Sequence, residues 1–237
     1  MEQYENLSGG LRLKTGGFPL GSDTMSLADF VRLRPGAAVC DLGCGGGALG
    51  LLLCAAAPSC RVTGIELDGA ACAVAAENFA QTALDGRCTL ISGDLREIRS
   101  LVPAGAFSDS VSNPPYFPAA SPVSPNPARA AARSEFGCSL DMLCAAASWV
   151  LRNGGRFSLV YRAERLCSLV CTLRQHGLEP KRLRPVRHSP GSPVKLLLLE
   201  ARKGGKPGLT FEPELLFYGP DGNPTADYLR IYHEGGD

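Results

Sequence analysis

A short apolar strand that runs straight into a row of glycines constrains this chain more than anything else in it. Val39-Cys40-Asp41-Leu42 is followed at once by Gly43-Cys44-Gly45-Gly46-Gly47, and then by an apolar, helix-forming stretch reaching Ala57. Glycines let a backbone turn sharply and approach a ligand closely. The helix start behind them offers N–H groups with no partner inside the helix. The same rhythm then repeats. Strands are expected at 39–42, 61–65, 88–92, up to 111–112 and at 156–161. Helices are expected over 47–57, 69–84, 95–101, 141–151 and 163–176. Segments 181–187 and 194–202 read as a closing antiparallel hairpin. Short strands alternating with helices predict an α/β fold, with a mostly parallel sheet covered on both faces and an antiparallel last strand.

The remaining segments frame that rhythm. Residues 1–35 read as a flap followed by a helix over 23–34, with Asp23 or Ser22 as its cap. Residues 117–134 hold four Pro, three Ser and two Arg, too much Pro for a regular element, in a loop of the length that lids and binding loops have. Residues 203–224 are rich in Gly and Pro, and 225–233 are expected to form a tail helix. With 237 residues, one domain over 1–237 is expected, as a monomer or homodimer.

Composition removes several classes. Hydrophobic residues at 45% and charged residues at 20% exclude a wholly disordered chain, a collagen and a coiled coil. The polar, acidic start MEQYENLSGG has no leader pattern, and the longest apolar stretches, 48–57 and 194–199, fall short of the ~18 residues of a membrane span. A cytoplasmic protein without a membrane partner is expected. Ten Cys without one C-x-x-C pair fit small buried hydrophobes in a reducing compartment. No metal site is expected, because Cys167 and Cys171 have no second pair to match them.

A Gly-rich turn alone is shared by many nucleotide folds. Acids at three strand ends narrow the choice. Asp41 sits beside the turn, Glu66 ends the second strand and Asp94 follows the third. Glu66 can accept from two ribose hydroxyls and Asp94 from an adenine amino group. A pyrophosphate would be repelled by these acids, whereas a cationic sulfonium with an amino-acid group would not. S-adenosylmethionine (SAM) has that chemistry and is favoured over NAD. Asp41, Gly43, Gly45, Gly47, Glu66 and Asp94 are the expected cofactor-binding residues, with Asn113 beside them.

The fourth strand runs into Asn113-Pro114-Pro115-Tyr116. An amide or amino nitrogen conjugated with a ring or carbonyl is a poor nucleophile, because its lone pair is delocalised. Two acceptors that take both its N–H protons push it towards tetrahedral geometry. The Asn113 side-chain carbonyl and the Pro114 main-chain carbonyl are such a pair, held by the double Pro. Tyr116 can stack on a flat substrate. The plain alternative is a Pro-rich turn with Tyr116 in the core. One feature is unusual: Phe107-Ser108-Asp109-Ser110-Val111-Ser112 is polar for a central strand.

These motifs resemble those of a known family. DLGCGGG, GIELD and the Gly93-Asp94 pair look like class I SAM-dependent methyltransferases, whose fold is a single-domain, Rossmann-like, seven-stranded sheet. Asn-Pro-Pro-Tyr resembles the signature of those that act on exocyclic or amide nitrogens. Over nearly its whole length, including Gly21-Ser22-Asp23, Ala132-Arg133-Ser134-Glu135 and Tyr218-Gly219-Pro220-Asp221-Gly222, the chain resembles bacterial tRNA-valine adenine-N6 methyltransferases. The resemblance implies methyl transfer from SAM to an adenine N6 in RNA, in a tRNA anticodon loop, with Asn113, Pro114 and Tyr116 catalytic. Guanine-N2 in rRNA, glutamine in a protein, and a non-catalytic SAM- and RNA-binding module are the alternatives.

Net charge, at +1, argues against a nucleic-acid partner until it is divided along the chain. Residues 150–206 carry 13 Lys/Arg against 3 Asp/Glu, a basic field between two acidic segments. Lys181, Arg182 and Arg184 centre it, and a basic face there is expected to meet RNA phosphates. Arg129 and Arg133 in the Pro-rich loop, with Pro115, complete the expected substrate contacts. The alternative is an edge strand whose charges guard it against aggregation.

Overall fold

The computed structural model describes residues 4–7, 11–15, 20–81, 84–114 and 139–232. Strands β1 (Tyr4–Asn6) and β2 (Arg12–Lys14) form an antiparallel ribbon ahead of helix α1 (Ser22–Phe30). The repeating part follows: β3 (Ala38–Leu42), α2 (Ala48–Ala56), β4 (Arg61–Glu66), α3 (Gly69–Phe79), β5 (Cys88–Ser92), α4 (Ile98–Leu101) and β6 (Phe107–Ser112). Then come α5 (Leu140–Val150), β7 (Leu151–Arg162), α6 (Leu166–Gln175), β8 (Leu178–Arg187) and β9 (Leu196–Lys203). The chain closes with β10 (Thr210–Phe211), β11 (Leu215–Leu216) and α7 (Ala226–Tyr232). The seven long strands stand in the order β8-β9-β7-β6-β3-β4-β5, parallel except for β9, which runs against both neighbours. The expected α/β sheet with an antiparallel last strand is present. The two-residue strands β10 and β11, not foreseen, pair parallel with the outer edge of β8.

Local chemistry sets the element ends. The α3 helix begins at Asp68, whose carboxylate accepts the Ala71 amide at 2.7 Å, and α5 at Ser139, whose hydroxyl accepts the Met142 amide at 3.1 Å. The α3 helix stops at Phe79 rather than running to residue 84. The Gln81 side chain turns back to donate to the Asn78 carbonyl at 2.8 Å, removing it from the helical ladder. The α1 helix starts one residue earlier than Asp23 and is capped by neither Ser22 nor Asp23; Gly21 holds the cap position with no side-chain bond. Asp23 instead brings negative charge to the first turn, where the helix dipole favours it. Strand β7 begins at Leu151 and passes through Asn153-Gly154-Gly155 rather than starting after them. A register shift opposite Phe107 to Asp109 absorbs the irregularity.

The polar fourth strand of the repeat forms because every polar side chain in it has a partner. Ser108, Ser110 and Ser112 donate to the carbonyls of Ala38, Cys40 and Leu42 on β3, at 3.1, 3.1 and 2.7 Å. The Asp109 carboxylate pairs with Arg156 of β7 at 2.7 Å. Burial of polar groups is costly only when they lack partners.

Two hydrophobic cores lie on the two faces of the sheet. One is built from α1 and α2 with Phe79 of α3, around residues such as Leu27, Phe30, Leu51 and Leu53. The other is built from α4, α5 and α6 around Leu143, Val150, Leu169 and Leu173. Among the described residues, seven of nine free cysteines are buried in or beside these cores, while Cys167 and Cys171 are exposed. Among the described residues, no group of His, Cys, Asp or Glu could hold a metal ion. No helix among them is long and apolar enough to cross a membrane.

Candidate active site

Parallel strands that share a direction bring their C-terminal ends to one edge, and the acids and Asn113 collect there. The turn after β3 is pinned to β4: the amides of Gly43 and Cys44 both donate to the Ile65 carbonyl, at 2.9 and 3.1 Å. Gly43, Gly45 and Gly47 all have left-handed backbones. Gly47 is the most constrained, with φ +83° and the Phe79 ring 2.6 Å from where a Cβ would sit. Any side chain there meets both backbone strain and an aromatic ring.

Glu66 closes the turn from the other side. One carboxylate oxygen accepts the Gly45 amide at 2.8 Å, and the other accepts the amides of Leu67 and Asp68 at 2.9 and 2.8 Å. Three donors thus fill most of the ~4 acceptor positions of this carboxylate. Asp41 is the opposite case. It is buried, and its Oδ2 has no hydrogen-bond partner among the described residues. Burial first, and the Glu66 charge second, push its carboxyl up to about 8.

Asp41 lines a cavity of about 160 Å³ together with Gly43, Gly45, Thr24, Lys14 and Asn113. Gly47, Glu66 and Asp94 stand outside this lining. An unpartnered buried carboxylate oxygen in a cavity fits a cationic ligand group, which is what the ammonium of SAM offers. Asp94 caps the short turn after β5, and both its oxygens are occupied by Arg96. Hydrogen bonding from that side chain holds its carboxyl below the usual range. Accepting from an adenine amino group requires Asp94 to share an oxygen with Arg96.

Asn113 follows β6, and its side-chain amide donates to the Thr24 hydroxyl oxygen at 2.8 Å. Pro114 beside it is buried. Pro115, Tyr116, Arg129 and Arg133 lie outside the described residues.

The flap is held over this cavity by two carboxamides, Asn78 of α3 and Gln81 just beyond it, that local sequence reasoning does not single out. Asn78 accepts the Lys14 amide and donates to the Lys14 carbonyl, at 2.8 and 3.0 Å. Gln81 does the same at Arg12, at 2.8 and 2.7 Å. Each side chain stands in for a partner strand of β2. Asn78, Gln81 and Thr24 carry no local signal, because their partners are tens of residues away.

A family model, the methyltransferase small domain, matches residues 21–175, which include helices α1 to α6, the Gly-rich turn and Asn113. The chain belongs to this methyltransferase family. SAM, the cofactor expected from the turn, follows from that membership. A curated relative from Porphyromonas gingivalis, tRNA1(Val) (adenine(37)-N6)-methyltransferase, is 32% identical over 195 residues, covering 81% of this chain and 76% of the relative. Among solved structures, a predicted O-methyltransferase, protein Atu636 from Agrobacterium tumefaciens, superposes with TM-score 0.74 at 20% identity over 89% of this chain and 95% of that one. Geranyl diphosphate C-methyltransferase from Streptomyces coelicolor, solved with S-adenosyl-L-homocysteine, gives TM-score 0.55 at 13% identity over 76% and 78%. These two likenesses show the shared fold.

The methyltransferase places its basic segment differently from the sequence expectation. Arg182 of β8 is paired with Glu200 and Glu212, at 2.7 and 2.8 Å, and its guanidinium lies 4.2 Å from the Phe30 ring. Arg184 is paired with Asp227 at 2.7 Å and donates to the Pro213 carbonyl at 3.0 Å. Both side chains are about one-seventh exposed. The basic face expected at these two positions therefore does not form. Their carboxylate partners come from β9, the chain after β10 and α7, so the arginines clamp the sheet edge to α1 and the tail. Lys181 is bound through its ammonium to the carbonyls of Lys206 and Gly208, at 2.6 and 3.3 Å.

Proposed function

We propose that this methyltransferase moves a methyl group from SAM to the exocyclic N6 of an adenine in a tRNA anticodon loop. The observation that carries the reading is the juxtaposition of Asn113 with the Asp41 cavity at one strand edge. The relatives named for adenine-37 of tRNA1(Val) support it. When bound, SAM supplies an electrophilic methyl on a good leaving group, so positioning and charge are the protein's main tasks.

In this reading Asp41 faces the cofactor's ammonium, while Gly43, Gly45 and Gly47 let the backbone approach it. Glu66 and Asp94 serve the ribose and adenine. The Asn113 and Pro114 carbonyls accept the two N–H protons of the target amine. Pro115 and Tyr116 hold the flipped base, which is inexpensive to turn out of a loop. Arg129, Arg133 and Lys181 meet phosphates, whereas Arg182 and Arg184, engaged internally, do not. The protein works in the cytoplasm as one domain, 1–237, in which 1–35 forms the flap and helix and 117–134 is the substrate loop. It acts as a monomer or homodimer.

The test is transfer from tritiated SAM to tRNA of a strain lacking the modification, with the product digested and weighed. N6-methyladenosine from wild type, and its loss in Asn113→Ala, is expected. Transfer to guanine or to protein glutamine, SAM binding without transfer, or full activity of Asn113→Ala would overturn the proposal.

A further inference from the structure

We propose that Thr24 is a positioning residue that locks the carboxamide of Asn113 in the one orientation useful for methyl transfer. The inference rests on the role of Asn113 proposed above. A side-chain carboxamide has nearly the same shape in its two flipped states but opposite chemistry, two donors on nitrogen and acceptors on oxygen. An amino group to be methylated brings only N–H donors towards its acceptors. The productive state therefore points the Asn113 oxygen at the target, and the flipped state sets donor against donor.

The two acceptors of the site differ in freedom. The Pro114 carbonyl is fixed by a backbone that proline stiffens. The Asn113 carbonyl sits on a rotor. The Thr24 Oγ1 accepts from the Asn113 nitrogen at 2.8 Å, and this contact joins residues 89 positions apart in the sequence. A bond from nitrogen to Thr24 directs the oxygen away from Thr24. Thr24 in turn is held by the first turn of α1, whose Leu27 and Phe30 are buried in the core, and its amide donates to the Asp23 carboxylate at 2.9 Å. Thr24 and Asn113 both line the cavity that Asp41 opens into. The lock thus rests on a packed helix rather than on the flap.

The proposal separates from simple packing by comparing an isostere with a smaller hydroxyl. Thr24→Val keeps the volume and removes the acceptor, and Thr24→Ser keeps the acceptor and removes a methyl. Under the lock, Thr24→Val lowers kcat for tRNA about tenfold, the loss of one well-placed hydrogen bond. KM for tRNA and Kd for SAM stay within about twofold, and Thr24→Ser stays close to wild type in all three. Wild-type rates for Thr24→Val, or a kcat loss in Thr24→Ser as large as in Thr24→Val, would overturn it. A second measurement needs no substrate. The Asn113 side-chain amide signal, assigned by its disappearance in Asn113→Asp, should exchange with solvent slowly in wild type and Thr24→Ser and several-fold faster in Thr24→Ala. Equal exchange in all three overturns the lock even if Thr24→Val fails to fold. A wild type that transfers nothing to tRNA overturns the functional reading instead, and the exchange experiment still decides Thr24.

Discussion

Asn78 holds Gly46 through a 2.7 Å hydrogen bond from its side-chain amide to the glycine carbonyl, while the same amide donates to Lys14 of the flap. One buried side chain thus joins the flap to the cofactor turn. Asn78→Ala leaves the Gly46 carbonyl and both polar groups of Lys14 without this partner. Stability should fall by about 2–3 kcal/mol in urea, at roughly 1 kcal/mol for each lost bond. Affinity for SAM should fall about tenfold by calorimetry. An unchanged SAM affinity would show that the flap and the turn are not coupled.

Asp41 gives a pH signature. Its folded carboxyl, pushed up to about 8, lies above the unfolded value of about 3.9. Between those values the folded state holds a proton that the unfolded state has lost, so this residue makes stability fall as pH rises from 4 to 8. Asp41→Asn cannot ionise. The variant without cofactor should therefore gain melting temperature relative to wild type as pH rises from 5 to 8.5. It should bind SAM about 10–100-fold more weakly, because a charge-assisted contact is lost. A constant melting difference across that range would refute the assignment.

The serine ladder of β6 predicts unequal costs for similar changes. Ser112→Ala removes the 2.7 Å bond to the Leu42 carbonyl and should cost about 1 kcal/mol. Asp109→Ala leaves Arg156 without its carboxylate in a largely buried place and should cost about 3 kcal/mol or more. Denaturant melts of the two variants and of wild type test the ranking. The reverse order would mean that the ion pair is not what holds β6 against β7.

Arg182 separates a clamp from an RNA contact. Arg182→Ala should lower the melting temperature by several degrees and leave the salt dependence of tRNA binding unchanged, because its charge is already paired with Glu200 and Glu212. Arg129→Ala or Arg133→Ala should each reduce the slope of log affinity against log salt by about one, the signature of a phosphate contact. A reduced slope for Arg182→Ala would return that residue to the RNA surface.

The strand–turn–helix units around Gly43 to Gly47 were legible because their signals are local: glycines at the turn, apolar runs on either side, and acids at strand ends. The same locality explains the misreadings. Alternating charge at Arg182 and Arg184 looks identical whether the side chains meet solvent or carboxylates, and the deciding partners, Glu212 and Asp227, are 30 and 43 residues away. The polar strand 107–112 reads as unusual for a central strand because the β3 carbonyls that receive its hydroxyls are 70 residues earlier. Strands β10 and β11 are two residues long and carry no alternation of their own. Thr24 and Asn78 are ordinary helix residues until the fold brings them to Asn113 and Gly46.

The short pairings of Thr210–Phe211 and Leu215–Leu216 with β8 have a consequence for how copies of this protein meet. An uncovered outer strand is a template on which a strand of another molecule can grow, and from which fibres can start. Here the chain's own tail lies along that strand, anchored by the two clamped arginines. A truncation that removes residues after Lys206 would therefore do more than shorten the protein: it would expose β8 as a sticky seam between molecules.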